Sequence, residues 1–379
     1  MEDFQVFVKP VGAACNLACQ YCYYLEKQQL YPAGASSRMP DDLLEQYIIQ
    51  HIAASSGPEL FFSWHGGEPT LAGLPFFERV VELQKKHLPE NWSVVNGLQT
   101  NGTLLSHAWC RFLKREHFVV GISLDGPEKF HSAFRFRKDG GSCFDEAVRG
   151  YELLMNYGIP CELLCVVNSA NAPYPLETYR FFKRLNAQFI TFLPLVEKQE
   201  SAGKLVSERS VSAKAFGEFL CAIFDEWKTS DIGTIKIQII EEALRTAFGV
   251  EHTLCIFKRT CGGIPVLEHN GDFYSCDHYV NGEHLLGNIR ETPLTQLLES
   301  QAQKTFGQAK LTSLPVYCLR CEVREMCNGG CPKERFIDTP DGESGLNYLC
   351  EGYKLFFSHC KPFAEQVAEV WRESGCNAE

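Results

Sequence analysis

Three cysteines near the start constrain this chain more than any other feature. The stretch Cys15-Asn16-Leu17-Ala18-Cys19-Gln20-Tyr21-Cys22 has CX3CX2C spacing and lies a few residues after a short apolar strand, Gln5-Val6-Phe7-Val8. Three close thiols are too many for a redox dithiol and one too few for a closed metal site, because structural zinc and a closed four-iron cluster both take four protein ligands. Three thiolates around a four-iron cluster leave one iron open to a small molecule. An open coordination position marks a chemical site rather than a structural one. The competing reading is part of a zinc site whose fourth ligand lies far away in sequence.

The meaning of so many thiols depends on the compartment. Met1-Glu2-Asp3 lacks the basic segment and apolar run of a signal peptide. No apolar stretch reaches the ~18 residues of a spanning helix. A cytoplasmic location is the expectation, and there thiols stay reduced. The 18 cysteines then point to metal ligands rather than a disulfide framework. The net charge of −11, with no block of five or six like charges, argues against nucleic acid or membrane as a partner. A length of 379 residues with 45% hydrophobic content allows two domains and a sizeable core.

Strands and helices alternate through the first half. A polar loop runs through Ser36-Ser37-Arg38, and Asp41 to Ala54 has a helical apolar period. Leu60 to His65 reads as a buried strand running into Gly66-Gly67-Glu68-Pro69-Thr70, where two glycines allow a close approach to the backbone. A helix (Pro75 to His87), a strand (Ser93 to Gln99), a helix (Ser106 to Glu116) and a strand (Phe118 to Leu124) follow. The same alternation continues to a strand at Phe189 to Leu193. This is an α/β pattern of about six parallel βα units with right-handed crossovers. Polar or Gly residues recur at the C-terminal strand ends, where a parallel barrel builds its site. No dinucleotide, P-loop or nucleophile-elbow motif occurs. His65 either faces a substrate or caps its strand, Arg135 either meets an anion or forms a surface ion pair, and His131 is structural. Cys161 and Cys165 share one face of an apolar strand and read as core thiols.

The second half opens with a polar loop from Glu197 to about Ser207 and a helix from Lys214 to Trp227. From Cys255 the cysteines return, with a hairpin signal at Asn270-Gly271. The segment from Cys318 to Cys331 has little room for a core of its own, so metal must staple it. A packing helix, Glu351 to about Arg372, closes the chain. Eight thiols here (Cys255, Cys261, Cys276, Cys318, Cys321, Cys327, Cys331, Cys350) complete two four-ligand sites, so the first motif keeps its open position. Spacing alone groups Cys318, Cys321, Cys327 and Cys331, and it leaves zinc open as the metal. The other seven cysteines (Cys110, Cys143, Cys161, Cys165, Cys221, Cys360, Cys376) read as structural or neutral.

CX3CX2C followed by Gly66-Gly67-Glu68-Pro69 resembles the radical S-adenosylmethionine (SAM) superfamily, and the later cysteines resemble its SPASM extension. The likeness is most specific to the anaerobic sulfatase-maturating enzymes. Leu98 to Thr103, Ser123 to Pro127, Tyr274 to Asp277, Leu286 to Ile289, Asn347 to Cys350 and the CX5C at Cys255 and Cys261 carry it. The resemblance implies a partial (β/α)6 TIM-like barrel over 1–230, a SPASM auxiliary-cluster domain over 231–350 and a C-terminal packing helix over 351–379. It implies three [4Fe–4S] clusters. Cys15, Cys19 and Cys22 would hold the one that binds and cleaves S-adenosylmethionine. Cys255, Cys261, Cys276 and Cys331 would hold a second, and Cys318, Cys321, Cys327 and Cys350 a third. Gly66, Gly67, Glu68 and Pro69 would line the cofactor's methionine end, with Ser123 and Arg135 as further contacts.

By the same resemblance the reaction is radical oxidation of a Cys or Ser side chain of a sulfatase polypeptide to Cα-formylglycine. A low-potential donor such as flavodoxin or ferredoxin would supply electrons. Asp277, next to Cys276, would be the base, and Tyr24 and His65 would contact substrate. His65 stands where the family often has Gln. Two other readings compete. One is a SPASM peptide maturase that forms thioether or carbon–carbon links in a precursor peptide, which Cys15's nearness to the start disfavours. The other is a non-catalytic zinc or Fe–S scaffold.

Overall fold

The computed structural model describes residues 4–31, 38–199 and 205–374. The loop at Ser36-Ser37, part of the loop from Glu197 to Ser207, and Cys376 therefore lie outside the described residues. The chain runs β1 (Phe7–Lys9), α1 (Asp41–Ala54), β2 (Glu59–Trp64), α2 (Leu74–His87), β3 (Ser93–Thr100), α3 (His107–Arg115), β4 (Val119–Ser123), α4 (Glu128–Phe134), α5 (Phe144–Asn156), β5 (Cys161–Val167), α6 (Pro175–Arg184), β6 (Phe189–Pro194) and α7 (Ala213–Ser230). It continues through β7 (Lys236–Ile237), α8 (Gln238–Ala247), β8 (Val266–Glu268), β9 (Asp272–Tyr274), β10 (Leu285–Asn288), α9 (Leu294–Leu298), α10 (Gln301–Thr312), α11 (Val316–Leu319), α12 (Arg324–Cys327), β11 (Arg335–Asp338), β12 (Ser344–Asn347) and α13 (Cys350–Glu373). The α/β alternation expected from the apolar runs is present through β6. Among the described residues no helix is long and apolar enough to cross a membrane.

The chain forms two compact units that interleave in sequence. The first comprises Met1–Leu124, Phe134–Cys161 and Gly262–Gly307. In it β1 lies between two parallel neighbours, β2 on one side (Phe7↔Ser63) and β8 on the other (Phe7↔Val266, Lys9↔Glu268). β3 and β4 continue the sheet in parallel beyond β2, and β9 and β10 continue it antiparallel beyond β8. The hairpin β8–β9 turns at Asn270-Gly271, with Gly271 at φ +96°. The stripe Leu43, Leu44, Tyr47, Ile48 and Ile52 of α1 is buried, as are Phe76 and Phe77 of α2 and Phe62 and Trp64 of β2. Each fully buried aromatic or aliphatic side chain stabilises the fold by roughly 1.5–3 kcal/mol. Ser106 caps α3 by accepting from Trp109 N.

The second unit comprises Asp125–Ala133, Glu162–Cys261 and Gln308–Glu379. β5, β6 and β7 pair in parallel in that order. The apolar run at Ile235 to Ile239 divides between the end of β7 and the start of α8, a split that periodicity cannot locate. α13 packs on α7 through two glycines, since a Cβ at Gly352 would sit 2.1 Å from the Ala213 carbonyl oxygen. Rings interlock beside that crossing (Phe216 with Tyr353, Phe224 with Phe356). The hairpin β11–β12 is an element the sequence does not announce. Its Ile337 packs with Leu314, Cys318 and Leu346, so flanking residues give the cysteine segment a small apolar core.

Candidate active site

The loop from Cys15 to Cys22 is tied down on three sides within the first unit. Gly67 N donates to Gly12 O and Glu68 N to Ala14 O, each at 2.8 Å. A Cβ at Gly67 would lie 2.1 Å from Ala14 O, so only glycine admits this approach. The backbone that comes close to the glycine pair is thus the cysteine loop itself. On a second side Asn16 donates to Thr103 Oγ1 (2.8 Å) and accepts from Asn101 Nδ2 (2.9 Å). On the third, Ala18 N and Gln20 N donate to Phe136 O and Phe134 O, which brackets Cys19 and brings buried Arg135 alongside. The Arg135 guanidinium lies 5.3 Å from the Tyr21 ring centre.

Glu68 is fully buried, and burial pushes its carboxyl up despite its donors. It accepts from Thr70 N, Thr70 Oγ1, Thr100 Oγ1 and Asn101 N, at 3.1, 2.6, 2.6 and 2.8 Å. The carboxylate is therefore a tie between the loops after β2 and β3. Burial likewise pushes the Cys15 thiol up to about 12, against a contact from Leu17 N. The shift reports burial, since Cys360, outside the cysteine motifs, is raised as far. Ser123, at the end of β4, accepts from Gln99 Nε2 at 3.3 Å.

Asp277 follows β9, and β8 pairing with β1 brings it to the start of the chain. Lys9 Nζ lies 2.6 Å from Asp277 Oδ1, and Tyr23 donates to Oδ2. Burial acts to raise the Asp277 carboxyl, but the charges of Lys9 and His278 and the bond from Tyr23 outweigh it. They hold the group down at about 2. Lys9 also lies 4.3 Å from the Tyr24 ring centre. Tyr24 is buried among Ala13, Val266, Tyr274 and Val280, and its hydroxyl donates to buried Glu268. Its hydroxyl is thus engaged, whereas neighbouring Tyr23 is the half-exposed one. His65 stacks on Phe7 at 3.8 Å and its Nε2 lies 2.9 Å from Ser63 Oγ. Burial and then the Lys9 charge lower the imidazole to about 3, so it is neutral near pH 7.

In the second unit Cys318, Cys321, Cys327 and Cys350 line one small solvent-open cavity, and Cys331 is not among its lining residues. Burial pushes Cys327 up to about 12 and Cys350 to about 11. Cys255, Cys261 and Cys331 are the thiols whose charge acts on buried Lys310. Cys276 belongs to the first unit, after β9. Among the described residues no three His, Cys, Asp or Glu side chains close on a single ion, and no disulfide joins any cysteine. The four thiols lining that one cavity are the donor set a four-iron cluster takes. Cys161 and Cys165 are buried core thiols, and buried His131 takes the Asp125 N–H on Nδ1 at 3.4 Å.

Lys9, Tyr23 and Glu268 carry no sequence signal, and Asn101 stands in the sequence only as part of the Leu98 to Thr103 stretch. Only the β1–β8 pairing and the approach of the Asn101 turn to Asn16 bring them to the site.

Residues 10–182 match the radical SAM superfamily, and residues 261–322 match SPASM, an iron–sulfur cluster-binding domain. The chain is 43% identical over 377 residues to a serine-type anaerobic sulfatase-maturating enzyme of Bacteroides thetaiotaomicron, across 96% of this chain and 91% of that protein. It is 34% identical over 371 residues to a cysteine-type anaerobic sulfatase-maturating enzyme of Clostridium perfringens, across 97% and 99%. Among solved structures, native anSMEcpe with bound AdoMet and Cp18Cys peptide matches with a TM-score of 0.87 at 32% identity, covering 97% of this chain and 99% of that one. Streptococcus suis SuiB bound to precursor peptide SuiA shares the fold alone, with a TM-score of 0.62 at 15% identity, covering 92% of this chain and 76% of that one. By sequence over nearly its whole length, and by fold, this chain belongs to the anaerobic sulfatase-maturating enzymes of the radical SAM superfamily.

Proposed function

We propose that this chain oxidises the Cβ of a Cys or Ser side chain in a sulfatase polypeptide, yielding Cα-formylglycine. The observation that carries the reading is an ionised carboxylate, Asp277, held by Lys9 and Tyr23 in the same unit as the Cys15–Cys22 loop. Bound at Cys15, Cys19 and Cys22, a four-iron cluster with S-adenosylmethionine supplies the one-electron chemistry that removes a hydrogen atom from Cβ. The substrate's hydroxyl or thiol proton then goes to Asp277, and an auxiliary cluster held by the later cysteines would be the acceptor for the remaining electron. Loss of one hydrogen atom, one proton and one electron accounts for the two-electron oxidation to the aldehyde or thioaldehyde level; water replaces sulfur in the second case.

Gly66, Gly67, Glu68 and Pro69 would line the methionine end of the cofactor, with the Glu68 carboxylate and the Gly67 and Glu68 N–H groups engaged elsewhere. Ser123 and Arg135 add contacts from the end of β4 and from beside the loop. Tyr24, through its ring, and neutral His65 form the wall on the substrate side. Three clusters in all are proposed, with Cys255, Cys261, Cys276 and Cys331 holding one auxiliary cluster and Cys318, Cys321, Cys327 and Cys350 the other. The protein would work in the cytoplasm with flavodoxin or ferredoxin as donor. Mass spectrometry of sulfatase-motif peptides, in Cys and Ser versions, after anaerobic incubation with protein, S-adenosylmethionine and reductant tests this. Loss of two hydrogens from the Ser peptide, or exchange of sulfur for oxygen with the same oxidation in the Cys peptide, is expected. Unshifted masses in both overturn the proposal.

A further inference from the structure

Among the described residues of the second unit, Lys310 and Arg335 are buried or partly buried cations held by backbone carbonyls rather than carboxylates. Lys310 is 1% exposed, and its Nζ donates to two backbone carbonyls, Cys255 O at 2.7 Å and Ile256 O at 2.9 Å. Burial weakens its hold on the proton, and the thiols of Cys261, Cys255 and Cys331 are the groups that restore it. Arg335, partly buried at the start of β11, directs its guanidinium into the turn between Cys327 and Cys331. Nε donates to Gly329 O (3.0 Å), Nη2 to Asn328 O (2.9 Å) and Nη1 to Lys310 O (2.6 Å). Its charge acts on thiols of both auxiliary groups, Cys318 and Cys327 as well as Cys261 and Cys331. Among the described residues neither cation has an Asp or Glu within ion-pair distance. Buried charges normally pair with an opposite charge, and carbonyl dipoles are a weak substitute. A four-iron cluster on four thiolates is a net anion and would supply such a partner.

We infer that Lys310 and Arg335 are the counter-ions of the two auxiliary clusters, and that Lys310 makes the cluster held by Cys255, Cys261 and Cys331 easier to reduce. The inference rests on the proposed reading of these cysteines as cluster ligands. A fixed positive charge favours the reduced cluster, which carries one more negative charge, and low local dielectric strengthens the effect. In the proposed reaction one electron has to leave the substrate, and a cluster that is easier to reduce is the better acceptor for it. Lys310 is thus a positioning residue that acts through the cluster rather than on substrate.

The test is an anaerobic potentiometric titration of the reconstituted full chain, followed by electron paramagnetic resonance, with iron and sulfide counted first. Lys310→Met should lower one auxiliary midpoint so that its oxidised-to-reduced ratio at fixed potential rises at least tenfold, about 59 mV for a one-electron couple. The Cys15–Cys19–Cys22 cluster should not move, and Lys310→Arg, which keeps the charge, should stay near wild type. Unchanged midpoints in Lys310→Met, or an equal drop in Lys310→Arg, overturn the inference. If Lys310→Met loses a cluster, retention of it in Lys310→Arg supports the charge requirement and its loss there overturns it. Wild-type protein with iron near four instead of about twelve fails the cluster reading itself, a result separate from any shift in potential.

Discussion

Lys9 and Asp277 form an ion pair of 2.6 Å between the last residue of the first strand and a loop that follows the ninth. The pair keeps a partly buried carboxylate ionised at any pH the protein meets, since Asp277 is held at about 2. An ionised carboxylate is an acceptor, which is what a Cβ oxidation requires once the hydrogen atom has left. Because the folded value lies below the ordinary carboxylate value, the stabilisation from this group is complete above about pH 4. It is lost only as pH falls through about 2.

Asp277→Asn removes the acceptor and keeps the shape. The variant should retain full iron and still cleave S-adenosylmethionine, yet give on the order of 10²–10⁴-fold less aldehyde, the usual contribution of a positioned base. Parallel measurement of 5′-deoxyadenosine and peptide aldehyde checks it. Full aldehyde yield would remove Asp277 from the chemistry.

Lys9→Met leaves burial unopposed by the nearest positive charge, so the Asp277 carboxyl rises. The fraction ionised near pH 6 falls, and an acidic limb should appear in the pH profile of aldehyde formation where wild type is flat. His65 loses a cation at the same time and its imidazole rises, which adds charge at low pH. An identical flat profile in the variant would contradict the electrostatic role of Lys9.

Gly67→Ala puts a Cβ within 2.1 Å of the Ala14 carbonyl oxygen. The cysteine loop must shift to admit it. Iron should fall by about four of about twelve, with the auxiliary clusters retained. Iron analysis and spectroscopy of the reconstituted variant decide the matter, and wild-type loading would show that the contact is dispensable.

Glu334 is buried, and burial raises its carboxyl from 4.5 to about 7 against the charge of Lys333 and a bond from Asn347. The folded state therefore holds the proton more tightly than the unfolded chain. The associated stability is complete below about pH 4.5 and is lost as pH rises through about 7. Glu334→Gln cannot ionise, so it should exceed wild type at pH 8 by on the order of 3 kcal/mol, with the gap closing toward pH 5. Unfolding at the two pH values measures it, and a gap independent of pH would refute the assignment.

The parallel βα units are readable from sequence because their strands are short apolar runs that end in Gly, Thr, Asn or Asp, and their helices carry a clear buried stripe. The cysteine groups stand out in the sequence because their spacing is dense in two stretches, Cys15 to Cys22 and Cys318 to Cys331. Tyr24 illustrates the limit. From sequence it is one of two adjacent tyrosines, and only packing shows that Tyr24 turns inward to Glu268 while Tyr23 meets Asp277. The β11–β12 hairpin escapes because its strands are mostly polar and its burial comes from Leu314 and Cys318 outside it. Grouping Cys350 with Cys318, Cys321 and Cys327 needs the fold too, because β12 carries the chain back to that cavity. Local spacing contains no record of that return.

The pairing of Phe7 with Val266 also governs how the chain matures on the ribosome. At roughly 5–20 residues per second, β1 waits tens of seconds after emerging before β8 exists to cover its second edge. Through that interval a short apolar edge stands bare, open to the pairing errors that unprotected strands invite. The carboxylate site is assembled in the same late step, so a ribosome that stalls before β8 leaves a nascent chain with its three leading cysteines but without Asp277.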